Sequence, residues 1–225
     1  MRRHTRFLAV LVLWGLIVPA AWADDSKMAH IIFRFEDSSN QQNHFARQPK
    51  EMWRVGTQYL RLEEKPNPET HIHLLLIANE PHIYMINQYN NQGQHILDPG
   101  PVFKMHMPIF SSNPEKGGSN KEKEISKLEF GTELEFFKKN NARSMPHVQM
   151  KGKIYNALML TIDGADLFLF TDQSSGLPVQ LSVQSEKDAF VVHYEVYEAG
   201  LEPDLDLFKV PVNINIVEAK AQPAH

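Results

Sequence analysis

The sequence predicts a mostly β fold: a single curved antiparallel sheet, or half-barrel, of about nine to eleven strands with a short helical lid. Three observations predict this. Apolar and β-branched residues come in short runs separated by turn residues along most of the chain. Helical features are confined to residues 119–142. The chain has no cysteine, so the fold depends on a hydrophobic core, which about 200 residues are enough to build.

The first 23 residues are expected to be a secretory signal peptide. A basic start precedes an apolar run over residues 7–20, and small residues surround the expected cleavage site after Ala23. An uncleaved membrane anchor is the alternative, but the apolar run is shorter than the roughly 18 to 20 residues that a span needs. We therefore expect a single periplasmic domain of residues 24–225 that does not span a membrane after cleavage.

The net charge of the chain limits the kind of partner that it can bind. Removing the signal peptide takes away three arginines and no acids, leaving 20 basic against 27 acidic residues and a net charge of −7. Because no basic surplus exists to neutralise phosphates, a nucleic-acid partner is not expected. The absence of cysteine excludes a disulfide framework, a thiolate metal site and an N-terminal lipidated cysteine.

The first half of the chain shows strands in order. "HIIFRFED" starts the sheet, and "EMWRVG" and "QYLRLEEK" are predicted to pair across a turn at Gly56. "HIHLLLIA" and "HIYMINQY" follow as an antiparallel hairpin, because Asn-Glu-Pro between them makes a tight connection.

The middle of the chain is less regular. Three prolines in "QHILDPGPVFKMHMPIF" limit any pairing there to an edge or to short pieces, and residues 111–121 form a polar loop. The helical region is expected to be two pieces that break at Gly131, because apolar residues before and after it would lie on opposite sides of one helix. Thr132 and Glu135 have the spacing of a capping box for the second piece.

The second half returns to strands. "KIYNALMLTI", "LFLFTD", "LPVQLSVQS" and "AFVVHYEVYE" are separated by short polar turns, and "NINIVEA" is a final extended segment. In "LFLF" both faces are apolar, so we expect core on one side of this strand and a helix, lid or ligand on the other.

The C-terminal half resembles a known family. "DLFLFTDQSSGLPVQLSVQ", and after it "LEPDLDLFKVP", are similar to the periplasmic lipoprotein-carrier (LolA-like) superfamily, and "MWRVGTQYLRLEE" is similar to its early hairpin. The resemblance covers most of residues 30–217, while the polar loop and a histidine-rich middle depart from it. It implies a half-barrel closed by short helices over an apolar cavity, in an exported protein that binds lipids or lipoproteins.

The function that we expect is non-catalytic binding of a hydrophobic ligand, such as an acyl chain, in the concave face of the sheet. Strand parity groups large apolar side chains that would line such a site, and the helical lid and a lone tryptophan add to them. The candidate ligand-binding residues are Trp53, Ile83, Met85, Phe103, Met105, Leu134, Phe137, Phe168 and Phe170.

Two alternatives stay open. One is an envelope interaction or sensor module with a filled core. The other is a copper- or zinc-binding exported protein that uses His71, His73 and His106, since histidines two apart on a strand share a face. We expect no resident metal or other cofactor, because alternation separates His106 from Met105 and Met107.

Catalytic residues are not expected. The sequence has no nucleophile elbow and no locally supported Ser, His and Asp set. Asp163, Asp166 and Asp172 each lie beside a turn, where aspartate supports the backbone. The chain is therefore predicted not to be an enzyme.

Overall fold

Twelve strands form one large, curved, unclosed sheet in the computed structural model, which describes residues 26–37, 48–98, 100–109, 124–186 and 189–219. The expected signal peptide and the polar loop at 111–121 lie outside the described residues. The strands are β1 (Met28–Asp37), β2 (Lys50–Val55), β3 (Tyr59–Glu64), β4 (Leu74–Asn79), β5 (His82–Asn87), β6 (Gln92–Leu97), β7 (Arg143–Met150), β8 (Lys153–Ile162), β9 (Ala165–Asp172), β10 (Pro178–Ser185), β11 (Ala189–Leu201) and β12 (Asn215–Glu218).

Two antiparallel meanders build the sheet. Strands β1 to β6 pair in sequence, as do β7 to β11, and β1 joins the two halves by pairing along β11. The short β12 then pairs with β6, and it is the one parallel pairing among the described strands. The β1–β11 pairing connects residues more than 150 positions apart, so it can form only when the two ends of the sequence come together.

The sheet has two faces with different covers. One face, called the cap face below, carries fully buried side chains from both meanders, such as Ile31, Phe33, Leu167 and Leu169. The other, called the opposite face, carries a smaller apolar cluster around Phe208 in the second 3-10 helix, Leu205–Phe208.

The helical cap consists of a 3-10 helix, Glu124–Lys127, and helix α1, Glu133–Lys139. Its apolar side chains lie on the cap face, where Phe130 stacks on Phe33 with ring centroids 4.1 Å apart. Since α1 has seven residues, no helix among the described residues is long and apolar enough to cross a membrane.

The predicted break at Gly131 is confirmed. Gly131 has φ +90°, a conformation that residues with a side chain rarely adopt. The predicted capping box is wrong, because the Thr132 side chain donates to Glu129 O and caps no helical N–H. The neighbouring Glu133 turns back instead and accepts from Gly131 N–H at 3.0 Å.

The prediction missed one strand. β7 lies at one edge of the sheet and contains Pro146 inside an irregular register between Met145 and Val148. Proline interrupts the alternation that marks a strand in the sequence, yet an edge strand tolerates it because one side needs no partner. This strand brings the described number to twelve.

We expect Phe137→Ala to lower the free energy of unfolding by about 3 to 5 kcal/mol, since this fully buried ring would leave a cavity between α1 and the sheet. Phe103→Ala is the matched control, because that ring is 47% exposed and its loss should cost within about 0.5 kcal/mol. Urea unfolding of both variants measures the difference. Equal midpoints would show that the cap does not belong to the cooperative core.

Candidate functional site

A buried arginine connects the sheet to the helical cap. Arg54 in β2 points to the cap face and is 6% exposed. Its guanidinium donates to Glu129 Oε2 at 2.5 Å and to Phe130 O at 2.8 Å, and its Nε donates to Gly56 O at 2.7 Å. One side chain therefore binds the turn after β2 and the linker between the two cap helices.

Glu129 is hydrogen-bonded on both of its carboxylate oxygens. Its second oxygen lies 2.5 Å from His106 Nδ1, in the segment that precedes the cap. Burial opposes the charged form, but the hydrogen bonds from His106 and Arg54 outweigh it and keep the pKa of Glu129 below its ordinary value. The ion pair between Arg54 and Glu129 can form only when the cap is in place, because Glu129 lies in the linker between the two cap helices.

Glu133 is the second buried acid of the cap. It is fully buried at the start of α1, where Tyr194 OH donates to Oε1 at 2.9 Å and Tyr197 OH donates to Oε2 at 2.6 Å. Burial raises the pKa of Glu133 in spite of these donors. Burial and the nearby Glu133 raise the pKa of both tyrosines well above the ordinary value, so their hydroxyls remain donors. Below, Arg54, Glu129, Glu133, Tyr194 and Tyr197 are called the polar cluster.

The cap leaves part of the apolar surface uncovered. On the cap face, beyond the cap, lie partly buried side chains from β4 and β5 and from the segment 101–109. They pack against the edge of the main core and are called the apolar margin: Leu76, Ile83, Met105 and Met107, with Met85 beside them, 45% exposed.

The segment 101–109 ties this margin to the cap. Met105 N–H donates to Thr57 O at 2.8 Å, and Met107 O accepts from Phe130 N–H at 3.1 Å. Two main-chain contacts thus hold the segment between the β2–β3 turn and the cap linker. Movement of the cap would therefore change the position of the methionines.

Six of the nine predicted site residues lie at the cap or beside it. Ile83, Met105 and Leu134 are partly buried against the main core, while Phe137 is fully buried in it. Met85 is exposed on the cap face, and Phe103 is exposed two residues before Met105.

The other three lie on the opposite face, which corrects the expectation that all nine share the concave surface. Phe168 and Phe170 alternate with Leu167 and Leu169, and it is the two leucines that enter the main core. Trp53 packs with the cluster around Phe208. There it stacks on His30 at 5.0 Å between ring centroids.

The predicted metal alternative lacks convergent ligands. His73 Nε2 lies 3.0 Å from Glu63 Oε1, whereas His71 makes an edge contact with Tyr89. His106 is hydrogen-bonded to Glu129. Among the described residues, no group of three metal-ligating side chains comes together.

The aspartates beside turns accept hydrogen bonds from backbone N–H groups. The Ser174 hydroxyl and the N–H groups of Ser175 and Ser174 donate to Asp172, and these donors lower the pKa of its carboxyl to about 2. Asp163 accepts from Ile125 N–H at 2.8 Å and so holds the 3-10 helix of the cap. Both carboxylates have structural partners.

The polar cluster was not predicted from the sequence, although two signals for it are present. Glu133 stands three and four residues before Phe136 and Phe137, a spacing that places all three on one helix face. Arg54 stands two residues after Met52 and so shares its strand face. Each is a charged residue in register with buried apolar ones, which indicates a buried, partnered charge.

No protein-family model and no curated protein matches the chain. Similar solved structures include an uncharacterized conserved protein from Thermus thermophilus, 9% identical, with a TM-score of 0.47 over 88% of this chain and 93% of that one. MucB, in the MucA/MucB complex of Pseudomonas aeruginosa, is 13% identical with a TM-score of 0.44 over 87% of this chain and 59% of that one, so this chain spans about three fifths of it.

A LolA superfamily protein from Nitrosomonas europaea is also among the similar structures, as the resemblance in the sequence led us to expect. It is 8% identical, with a TM-score of 0.33 over 83% of this chain and 90% of that one. Similarities at this level concern the fold and say nothing about ligand or activity.

We expect the stability difference between the unaltered protein and Glu133→Gln to depend on pH. Because the pKa of Glu133 is raised on folding, its contribution is fully present below the ordinary carboxyl pKa of about 4.5 and is lost as the pH rises through the folded value. Glutamine does not titrate, so the unaltered protein should lose stability relative to the variant from about pH 4.5 upward and then level off. Urea unfolding across about pH 4 to 8 measures this, and a difference that grows with pH in favour of the unaltered protein would contradict it.

Proposed function

We propose that this chain is an exported, non-catalytic protein that binds the acyl chain of a lipid or lipoprotein at the edge of the helical cap. The observation that supports this most directly is the apolar margin, which continues the main core beyond the cap. Met85 in this margin is 45% exposed, and Phe103, two residues before Met105, is 47% exposed. The proposed site consists of Ile83, Met85, Phe103, Met105, Leu134 and Phe137.

The chemistry of the margin suits a flexible chain. Methionine has an unbranched, polarizable side chain that fills irregular spaces. Met105 and Met107 pack against the main core, and Met85 lies opposite Leu76 in the strand register. Burial of apolar surface contributes about 25 cal/mol per Å². A long acyl chain against this surface would therefore gain affinity without a specific polar contact.

The cap limits how far the ligand can enter. Beneath it, Phe137 and Leu128 are fully buried and fill the space against the sheet. An acyl chain that extends under the cap must displace these side chains. When the cap is displaced, the acyl chain replaces the apolar contacts between the cap and the sheet. The sheet face therefore stays covered by apolar groups.

The polar cluster makes such a displacement all-or-none. Arg54, Glu129 and Glu133 are satisfied by partners on the other side of the cap boundary, and they lose those partners together when the cap moves. A partial opening would leave buried polar groups without partners, and for the Arg54–Glu129 ion pair the loss costs several kcal/mol. Two discrete positions of the cap, closed and displaced, follow from this coupling.

We expect Met85→Asp to reduce the amount of lipid that copurifies with the protein by about tenfold or more, since a carboxylate in an acyl contact must be desolvated. Met85 is already exposed, so the fold should tolerate the change. Leu97→Asp is the matched control, because Leu97 is 55% exposed but lies on the opposite face, where its neighbour across the ladder is His82. Native mass spectrometry of gently purified protein gives the bound mass.

Two results would count against the proposal. Unaltered protein without any mass in the lipid range would favour an interaction module with a filled core. Equal lipid retention by Met85→Asp and the unaltered protein would place the ligand elsewhere. Crosslinking in the envelope then identifies a protein partner, if the chain has one.

A further inference from the structure

Two histidines meet on the opposite face of the sheet, away from the cap. His82 begins β5, His95 lies in β6, and the register places them diagonally across the ladder. His82 Nδ1 and His95 Nε2 are 3.0 Å apart, and the ring planes are inclined by 26°. One nitrogen of each ring therefore faces the same point on the protein surface.

A carboxylate determines which nitrogen of His95 is free. His95 Nδ1 lies 2.8 Å from Glu218 Oε2, in the edge strand β12, directly opposite His95 in the parallel register. Because a carboxylate only accepts, Nδ1 carries the proton, and Nε2 presents its lone pair towards His82. A carboxylate behind an imidazole in this way orients the ring and raises its basicity, as in many zinc sites.

The His82 ring is less constrained by its surroundings than the His95 ring. His82 is exposed, whereas the His95 side chain is 13% exposed and stacks on Tyr84 at 4.7 Å between ring centroids. His95 is thus the fixed member of the pair, and His82 can rotate to adjust. His82 Nδ1 and His95 Nε2 share one hydrogen bond, and a cation bound between the two nitrogens would replace its proton.

We propose that His82 and His95 bind a divalent ion of the kind that prefers imidazole, such as Zn²⁺ or Cu²⁺, with Glu218 as the orienting carboxylate. Two ligands of a tetrahedral zinc at about 2.0 to 2.1 Å lie roughly 3.3 Å apart. The observed 3.0 Å between the two nitrogens is close to this spacing. Since no third ligating side chain joins the pair among the described residues, the remaining positions belong to water or an external ligand.

Other histidines in the described residues do not offer this arrangement. Both nitrogens of His30 face carboxylates, Glu51 and Glu198, so a bound ion would have to displace one of them. His193 faces Glu36 and His73 faces Glu63, each as a histidine with a carboxylate. Within the part of the chain that the structure describes, only His82 and His95 point two imidazole nitrogens at each other.

The site would also act on the edge of the sheet. Glu218 belongs to β12, which has four residues and pairs with β6 at the end of the described strand order. An ion that keeps Nδ1 of His95 protonated strengthens the hydrogen bond to Glu218 and so holds β12 against β6. The proposal does not depend on lipid binding, because the pair lies on the face away from the apolar margin.

Isothermal titration of the full chain with Zn²⁺, and separately with Cu²⁺, tests the site. We expect one equivalent to bind, with Cu²⁺ tighter than Zn²⁺. The double variant His82→Ala with His95→Ala should lose this equivalent, and Glu218→Gln should weaken it by about tenfold. His71→Ala with His73→Ala is the matched control and should bind as the unaltered protein does.

Further readouts separate a built site from adventitious binding. Two nitrogen ligands should appear in the electron paramagnetic resonance spectrum of the Cu²⁺ form. Affinity should fall as the solution is made more acidic, because protons compete with the ion for the imidazole nitrogens. Circular dichroism checks that each variant is folded. Binding that the His82 and His95 double variant retains, or weak binding without a defined stoichiometry, would overturn the proposal.

Discussion

The burial of Glu133 between two tyrosines is the constraint on which the cap depends. A seven-residue helix has little stability of its own, because nucleation costs more than a few hydrogen bonds return. Phe136 and Phe137 provide the apolar contact, but contact alone would allow several positions. The hydrogen bonds from Tyr194 and Tyr197 exist only in one of them, so they determine where α1 lies on the sheet.

Arg54 extends this constraint to the rest of the cap. It binds the linker between the two cap helices, and Glu129 passes the contact on to His106 in the preceding segment. The apolar margin is thereby connected to the polar cluster, since Met105 and Met107 flank His106. The position of the cap and the apolar margin, where we propose that the ligand binds, are therefore linked by contiguous contacts.

The two faces of the sheet have separate chemistry. The cap face is apolar apart from buried charged residues, namely the polar cluster and the Lys50–Glu64 pair. The opposite face carries histidines paired with carboxylates. Strand alternation produces this separation, because successive side chains point to opposite faces. It is also why Phe168 and Trp53, which are large and apolar, lie away from the cap.

Much of the architecture followed from local patterns. The strands, the turn at Gly56 and the helix break at Gly131 were predicted because period-2 alternation, turn residues and helix periodicity are short-range properties. β7 was missed because Pro146 hides its alternation. Within the predicted site, parity correctly grouped Ile83 with Met85 on one face, but it does not tell which of the two faces the cap covers.

The sequence by itself determined a mostly β chain with short helical pieces and a core without disulfides, because each of these depends on neighbouring residues or on composition. The tertiary structure decided the β1–β11 pairing, the choice of the face under the cap, the burial of Glu133 and the meeting of His82 with His95. These depend on contacts between distant segments, and the pairing of distant strands leaves no periodic signal in either segment alone.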